Sequence, residues 1–234
     1  MPRVQPMDPA TFLLLKQTPL FLGLAEADSR MLLAEARIEL YSDDEILFER
    51  GTPADRLFLV LDGHVEVFFD EGGRKSVLEV AKRPALLGEA ALFTDGQYSD
   101  GARTVGFAKV VTVPAQAFRN ALDNRFDLAQ RMLATMSMRL RGLVVQIAEL
   151  KLKSTAQRVG GFLLGLADSP EGEAVVRFPY DKRLAAESLG MTAESLSRAL
   201  VRLTALGVES LPENLVAITD IGALRDFCVE DGET

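Results

Sequence analysis

The chain carries one cysteine and one histidine among 234 residues. Cys228 alone excludes an internal disulfide framework and any cysteine-rich metal or iron–sulfur site. His64 and Cys228 lie far apart in sequence and make no nucleophile–base pair. There is no phosphate-binding loop and no His-Glu-x-x-His, so an enzyme is not expected. No apolar run approaches the roughly 18 residues of a membrane span. The opening MPRVQPMDPATFLLLKQTP has neither a long apolar segment nor a small-residue cleavage site. The expectation is a cytoplasmic protein with no membrane partner. Positive charge is also scarce: 26 Lys and Arg against 34 Asp and Glu, a net −8. Taken whole, that balance weighs against nucleic acid. Its distribution matters more. Arg125, Arg131, Arg139, Arg141, Lys151, Lys153 and Arg158 face only Asp127 and Glu149 over 125–158. Arg177, Lys182, Arg183, Arg198 and Arg202 gather around 177–202 against Asp181, Glu187 and Glu194. The acid excess lies mainly elsewhere.

What is present is best seen in residues 181–207, DKRLAAESLGMTAESLSRALVRLTALG. They read as two short helices joined at Gly190, from Asp181 to Leu189 and from Thr192 onward. Thr192 has a hydroxyl that can cap the free N–H groups of a helix start. At 100° per residue, Leu196, Ala199, Leu200 and Leu203 share one face of the second helix. Glu194, Ser197, Arg198 and Arg202 share the other. An acid, a hydroxyl and two guanidinium groups make a set suited to base edges in a major groove. The same pattern fits an ordinary helical hairpin with a solvated face.

The rest of the chain changes character twice. Helical spacing over 9–18 and 26–37 gives way to short β-type runs between Arg37 and Val113: ILF at 46–48, LFLVL at 57–61, HVEVFF at 64–69, SVLEV at 76–80 and KVVTV at 109–113. Glycine and proline turns separate them, the pattern of an antiparallel barrel or jelly roll. Val65, Val67 and Phe69 alternate with His64, Glu66 and Phe68, which gives the strand one apolar face. Asp43 and Asp44 read as solvated turn residues. After Pro114 the period becomes helical, with a short helix over 115–122. From Phe126 to Lys153, Leu133, Met136, Leu140, Leu143, Ile147 and Leu150 are spaced 3, 4, 3, 4, 3. That seam predicts a long helix pairing with its own copy; a helix laid across its own domain is the alternative. A hinge near Ser154 or Thr155, another helix, a strand in AVVRFPY, and a hairpin of VESL and LVAI around Pro212–Asn214 follow. A closing helix starts at Asp220.

This order resembles the CRP/FNR family of bacterial transcription regulators. The resemblance rests on PLFLGL, ILFERGTPADRLFLVLDGHVEV, LLGEAALFTDGQYS, the heptad helix and TAESLSRALVRLTALGV. It implies an α+β chain: an N-terminal β-roll, or jelly roll, similar to a cyclic-nucleotide-binding domain (1–125), a long dimerisation helix (126–154) and a C-terminal winged helix-turn-helix (155–234). It makes Ala193–Leu206 the recognition helix. Glu194, Ser197 and Arg198 match the Glu-x-x-Ser-Arg pattern of FNR-like members, which implies a TTGAT-type half-site. Ala193 stands where a CRP-type helix carries an additional arginine, so the FNR-like branch is favoured. Thr192, Ser195 and Arg202 complete the expected DNA-facing set. The wing turn holds Glu213 and no basic residue, which tells against a wing–phosphate contact. Double-stranded DNA, a second copy and RNA polymerase are the implied partners.

The resemblance is less direct about the signal. Gly88 and Glu89 match the ribose-holding pair of cyclic-nucleotide members, and Ala90 and Leu92 complete the expected effector pocket. Ser99 and Asp100 stand where those members place Arg-Ser. A carboxylate without an arginine is electrostatically wrong for a phosphate, and Arg103 lies four residues too late, so cAMP is not expected. The cluster-bearing FNR chemistry lacks its cysteines, and Cys228 reads as a buried or inert thiol. Cluster-free relatives such as the Dnr group are associated with haem and nitric oxide. That makes haem a candidate, with His64 the sole histidine ligand available and Met132, Met136 and Met138 equally readable as packing. A different small ligand, or none, is the alternative. A ligand-binding module that regulates a protein partner instead of DNA is the rival function.

Overall fold

Two long strands, over 56–71 and 101–114, are buried along much of their length and organise the first half of the molecule. The computed structural model describes residues 2–229, and the chain divides after Arg139 into two compact units. The first opens with β1 (Arg3–Pro6), α1 (Pro9–Lys16) and α2 (Glu26–Leu32). It continues with β2 (Arg37–Tyr41), β3 (Ile46–Phe48), β4 (Arg56–Glu71), β5 (Arg74–Lys82), β6 (Ala85–Leu87) and β7 (Gly101–Pro114). A 3-10 turn covers Glu89–Leu92. Then come α3 (Ala115–Asn124) and α4 (Phe126–Leu152), which continues into the second unit.

The strands form one antiparallel sheet in the order β1-β2-β7-β4-β5, with β3 on β7 and β6 on β4. This is the expected roll, with several differences in its elements. The turn expected at Asp62–Gly63 is an irregularity inside one strand of 16 residues, because β7 pairs along both halves of β4. That irregularity shifts the side-chain parity. Phe58 and Val60 point into the roll before it, and Val65 and Val67 after it. The odd residues Leu57, Leu59 and Leu61 meanwhile join Phe21, Phe118, Leu128 and Met132 in a second cluster beneath the helices. The helix expected over 26–37 ends at Leu32, since Arg37 already pairs with Thr112 of β7. β1, β2 and β6 lie outside the sequence-based runs.

The polar face of β4 is not solvent-facing as its residue type suggests. Glu66 is buried and held by Lys75 Nζ at 2.5 Å and Arg103 Nη2 at 2.8 Å. Arg103 also binds Asp44 at 2.7 Å.

In the second unit, Ser154 caps α5 (Thr155–Leu164) through a reciprocal capping box with Gln157. There follow β8 (Ala174–Arg177), α6 (Lys182–Ser188), α7 (Ala193–Leu203), a 3-10 turn, β9 (Val208–Ser210), β10 (Leu215–Ile218) and α8 (Ile221–Val229). Asp220 accepts from Ala223 N at 2.9 Å and so caps α8. Val159, Leu163, Phe178, Leu196, Leu203, Val216 and Leu224 meet in one core. The small sheet has the order β8-β10-β9. The fold class is thus an α+β roll, helix and helix-turn-helix. No helix among the described residues is long and apolar enough to cross a membrane.

Candidate nucleic-acid interface and sensor cavity

The helix-turn-helix is set by local chemistry at each end of its turn. Asp181 caps α6 by accepting from Leu184 N at 2.8 Å. Gly190 then takes φ +65°, the left-handed region that glycine enters without strain. Thr192 caps α7 by accepting from Ser195 N at 3.2 Å, a contact that stabilises a helix start by about 1 kcal/mol. Leu196, Ala199, Leu200 and Leu203 are buried, as the periodicity predicts. Thr192, Glu194, Ser197, Arg198 and Arg202 are exposed, and Ser195 is half-buried. Arg198 Nη1 donates to Glu194 Oε1 at 3.1 Å and Nη2 to Ser195 Oγ at 3.4 Å. An exposed pair of this kind contributes little to stability, so the guanidinium is held in place at small cost to its release.

The wing has a basic residue that its own turn lacks. Glu213 and Asn214 turn the hairpin at φ 56° and 59°. Arg177, delivered by the neighbouring β8, donates Nη1 to Glu213 O at 2.7 Å. Sequence reading of the turn alone misses Arg177, since it lies 36 residues upstream. The β8–β10 pairing, which sets Leu215 opposite Arg177, is what brings it there.

In the first unit, Gly88, Glu89 and Ala90 line a cavity of about 220 Å³ with Tyr98, Ser99, Asp100 and Arg139. Gly88 has φ +80°, and a Cβ there would sit 2.9 Å from the Tyr98 ring. Leu92 is not among the lining residues; it packs against the cluster beneath the helices. Ser99 Oγ donates to Asp100 Oδ2 at 2.9 Å. Arg103 is engaged with Glu66 and Asp44 and does not line the cavity. The cation that does line it comes from α4. Arg139 donates to Glu89 Oε1 at 2.8 Å, Glu79 Oε1 at 2.6 Å and Leu86 O at 3.2 Å. Burial raises the Glu89 carboxyl above its ordinary range, with Arg139 opposing and Asp100 and Glu79 adding to the rise. A second cavity of about 320 Å³ lies on the other side of Arg139, bounded by β5, β6, Met132 and Met136. His64 lines neither cavity. Met132 is fully buried, Met136 packs against the same core, and Met138 is exposed. Cys228 is buried, and desolvation raises its thiol.

Along α4, five seam residues point outward: Leu133, Leu140, Leu143, Ile147 and Leu150 are each more than 40% exposed, the least being Leu143 at 41%. Met136 is the exception, turned toward the roll core.

A roll with an internal cavity, followed by a helix-turn-helix with a polar outer face, defines a sensor joined to a DNA reader. Residues 38–125 match the family model "Cyclic nucleotide-binding domain", and residues 157–227 match "Crp-like helix-turn-helix domain". A solved structure from Ruegeria pomeroyi, titled as a candidate cyclic nucleotide binding protein, is 35% identical. It covers 95% of this chain and 98% of its own, with a TM-score of 0.68. The cyclic AMP receptor protein of Thermus thermophilus is 27% identical over 91% of this chain and 98% of its own length. DNR from Pseudomonas aeruginosa is 27% identical, covers 95% of this chain and all of its own, and has a TM-score of 0.54. The chain belongs to the CRP/FNR family. It is a DNA-binding transcription regulator with a sensor domain like those that bind cyclic nucleotides. Its relatives are regulators, not enzymes.

Proposed function

We propose that the chain acts in the cytoplasm as a homodimer that reads a near-palindromic, TTGAT-type DNA site. A signal received in the roll sets the positions of its two recognition helices. The working division is a sensor over 1–125, a dimer helix over 126–154 and a DNA-binding domain over 155–234. The observation that carries the reading is the outer face of α7. Glu194, Ser197 and Arg198 stand together and exposed on a capped helix whose other face is fully packed. A glutamate accepts from a cytosine amino group, an arginine forks onto guanine O6 and N7, and a serine serves either. Thr192, Ser195 and Arg202 flank that set. The exposed seam of α4 supplies the two-fold pairing, which puts two α7 helices into successive major grooves about one DNA turn apart. RNA polymerase is the partner that such a bound dimer meets at a promoter.

The effector in this reading is not cAMP. The cavity holds Asp100 and Glu89, and its cation is already bound by two carboxylates. Arg103 has two carboxylate partners of its own. A cyclic phosphate entering here meets no free donor arginine. For haem, the sole histidine is not in place as a ligand, since His64 lies outside both cavities, and the methionines at the second cavity, Met132 and Met136, pack against the roll core. The cavity residues Gly88, Glu89 and Ala90 remain the proposed effector contacts, without Leu92.

The test is Arg198→Ala in a gel shift against an operator selected from genomic DNA. The expected loss is about 1–3 kcal/mol of discrimination at one base pair of each half-site. Unchanged sequence preference would remove the role given to Arg198.

A further inference from the structure

The outer face of α7 contains one residue that neither the fold nor the polar reading accounts for. Val201 is 69% exposed. At 100° per residue it falls between Ser197 and Arg198, within about 20° of Glu194, at the centre of the face opposite the buried leucines. A β-branched side chain is a mediocre helix former, so helix stability does not explain its presence there. It packs against neither side of the unit's core, which is filled from the opposite face by Leu196, Ala199, Leu200 and Leu203.

Glu194, Ser197, Arg198 and Val201 follow the spacing i, i+3, i+4, i+7. A helix lying in a major groove presents base-reading side chains at that spacing. Seven residues advance about 10 Å along the axis, roughly three base-pair steps at 3.4 Å per step. The floor of the major groove offers one apolar feature, the C5-methyl group of thymine. We propose that Val201 is a specificity residue that reads a thymine methyl in each half-site, about three base pairs from the contact of Glu194. The inference rests on the DNA-reading role of α7.

The experiment uses the full chain and its selected operator. Thymines are replaced one symmetric pair at a time by deoxyuridine, which removes the methyl and keeps every hydrogen-bonding group. The wild-type protein is expected to lose about fourfold in affinity per methyl at one thymine of each half-site, the value of one desolvated methyl. Val201→Ala is expected to lose that sensitivity, and Val201→Thr, which keeps one methyl branch, to retain part of it. Because Val201 is exposed, both variants should unfold at the wild-type temperature, and that midpoint is measured alongside. Wild-type binding that is indifferent to uracil at every thymine overturns the assignment, as does Val201→Ala with undiminished uracil sensitivity. Either result leaves the DNA-reading role standing. A chain that selects no DNA sequence at all overturns that role, and the assignment with it.

Discussion

Arg139 makes three bonds from α4 to the roll: to Glu79 on β5, to Leu86 O on β6 and to Glu89 in the turn beyond. A side chain of the protein thus ties helix to roll at the edge of the cavity lined by Gly88, Glu89 and Ala90. Glu89 bears the consequence. Its folded pKa is raised, so the fold favours the protonated form, and its ionised form counts against stability at neutral pH. That penalty disappears as pH falls through the raised folded value toward the ordinary one near 4.5. Glu89→Gln is therefore expected to gain stability relative to wild type at pH 7, and the gap to close as pH falls through the raised value toward 4.5 and below. Urea unfolding at several pH values checks both the sign and the convergence. The buried carboxylate of Glu66 is held between two cations, Lys75 and Arg103. Removing Arg103 leaves a buried charge with only Lys75, a loss of about 3 kcal/mol that the same unfolding measurement reads. Neither network is legible in sequence. Glu66 alternates with Val65 and Val67 and reads as the solvent side of a strand, and nothing in linear order connects residue 139 to residues 79 and 89.

The elements were legible where a period had only one interpretation. α7, with a buried residue at 196, 199, 200 and 203, follows from its spacing, and so does α4. β1, β2 and β6 are not legible because strands as short as RVQP, RIELY and ALL carry no clear alternation. β4 read as two strands because Asp62–Gly63 has the composition of a turn, whereas its pairing with β7 continues on both sides. Two predictions belong to single elements. Leu140→Asp with Ile147→Asp puts charge on two exposed seam positions of α4. If that seam is the dimer contact, sedimentation should show monomers, and operator binding should weaken sharply. At the other end of the reader, Gly190→Ala forces a Cβ into the left-handed region 2.9 Å from Leu150 Cδ2. The expected cost is about 1–2 kcal/mol, measured as a lowered unfolding midpoint.

At the scale of the molecule, a net charge of −8 coexists with a reader whose outer face carries Arg198 and Arg202 and whose wing carries Arg177. Binding should then fall steeply with salt, because local phosphate neutralisation sets that slope and the overall charge does not. Arg177→Ala is expected to reduce the slope by about 1 while leaving base preference intact, which salt titrations of wild type and variant compare directly. Family and overall order were legible because several motifs spread over the chain agree. The effector was not, because the chemistry of the cavity depends on which arginine reaches it. Sequence sets Arg103 aside as too distant along the chain and does not connect Arg139 to the cavity, where the fold places it.

The solitary thiol has a practical side. Cys228 is buried against Gly160, where an added Cβ would lie 2.6 Å from its sulfur, and its raised pKa keeps it in the unreactive thiol form. Any cysteine introduced on the surface becomes the reactive sulfur in the chain without removal of the native one. Ser137 of α4 and Thr204 beyond α7 are both exposed, so a nitroxide at either tests the proposed dimer: a pair of like labels at a fixed distance is expected, and the absence of any label–label distance would count against it. The protein comes already prepared for site-directed spin labelling.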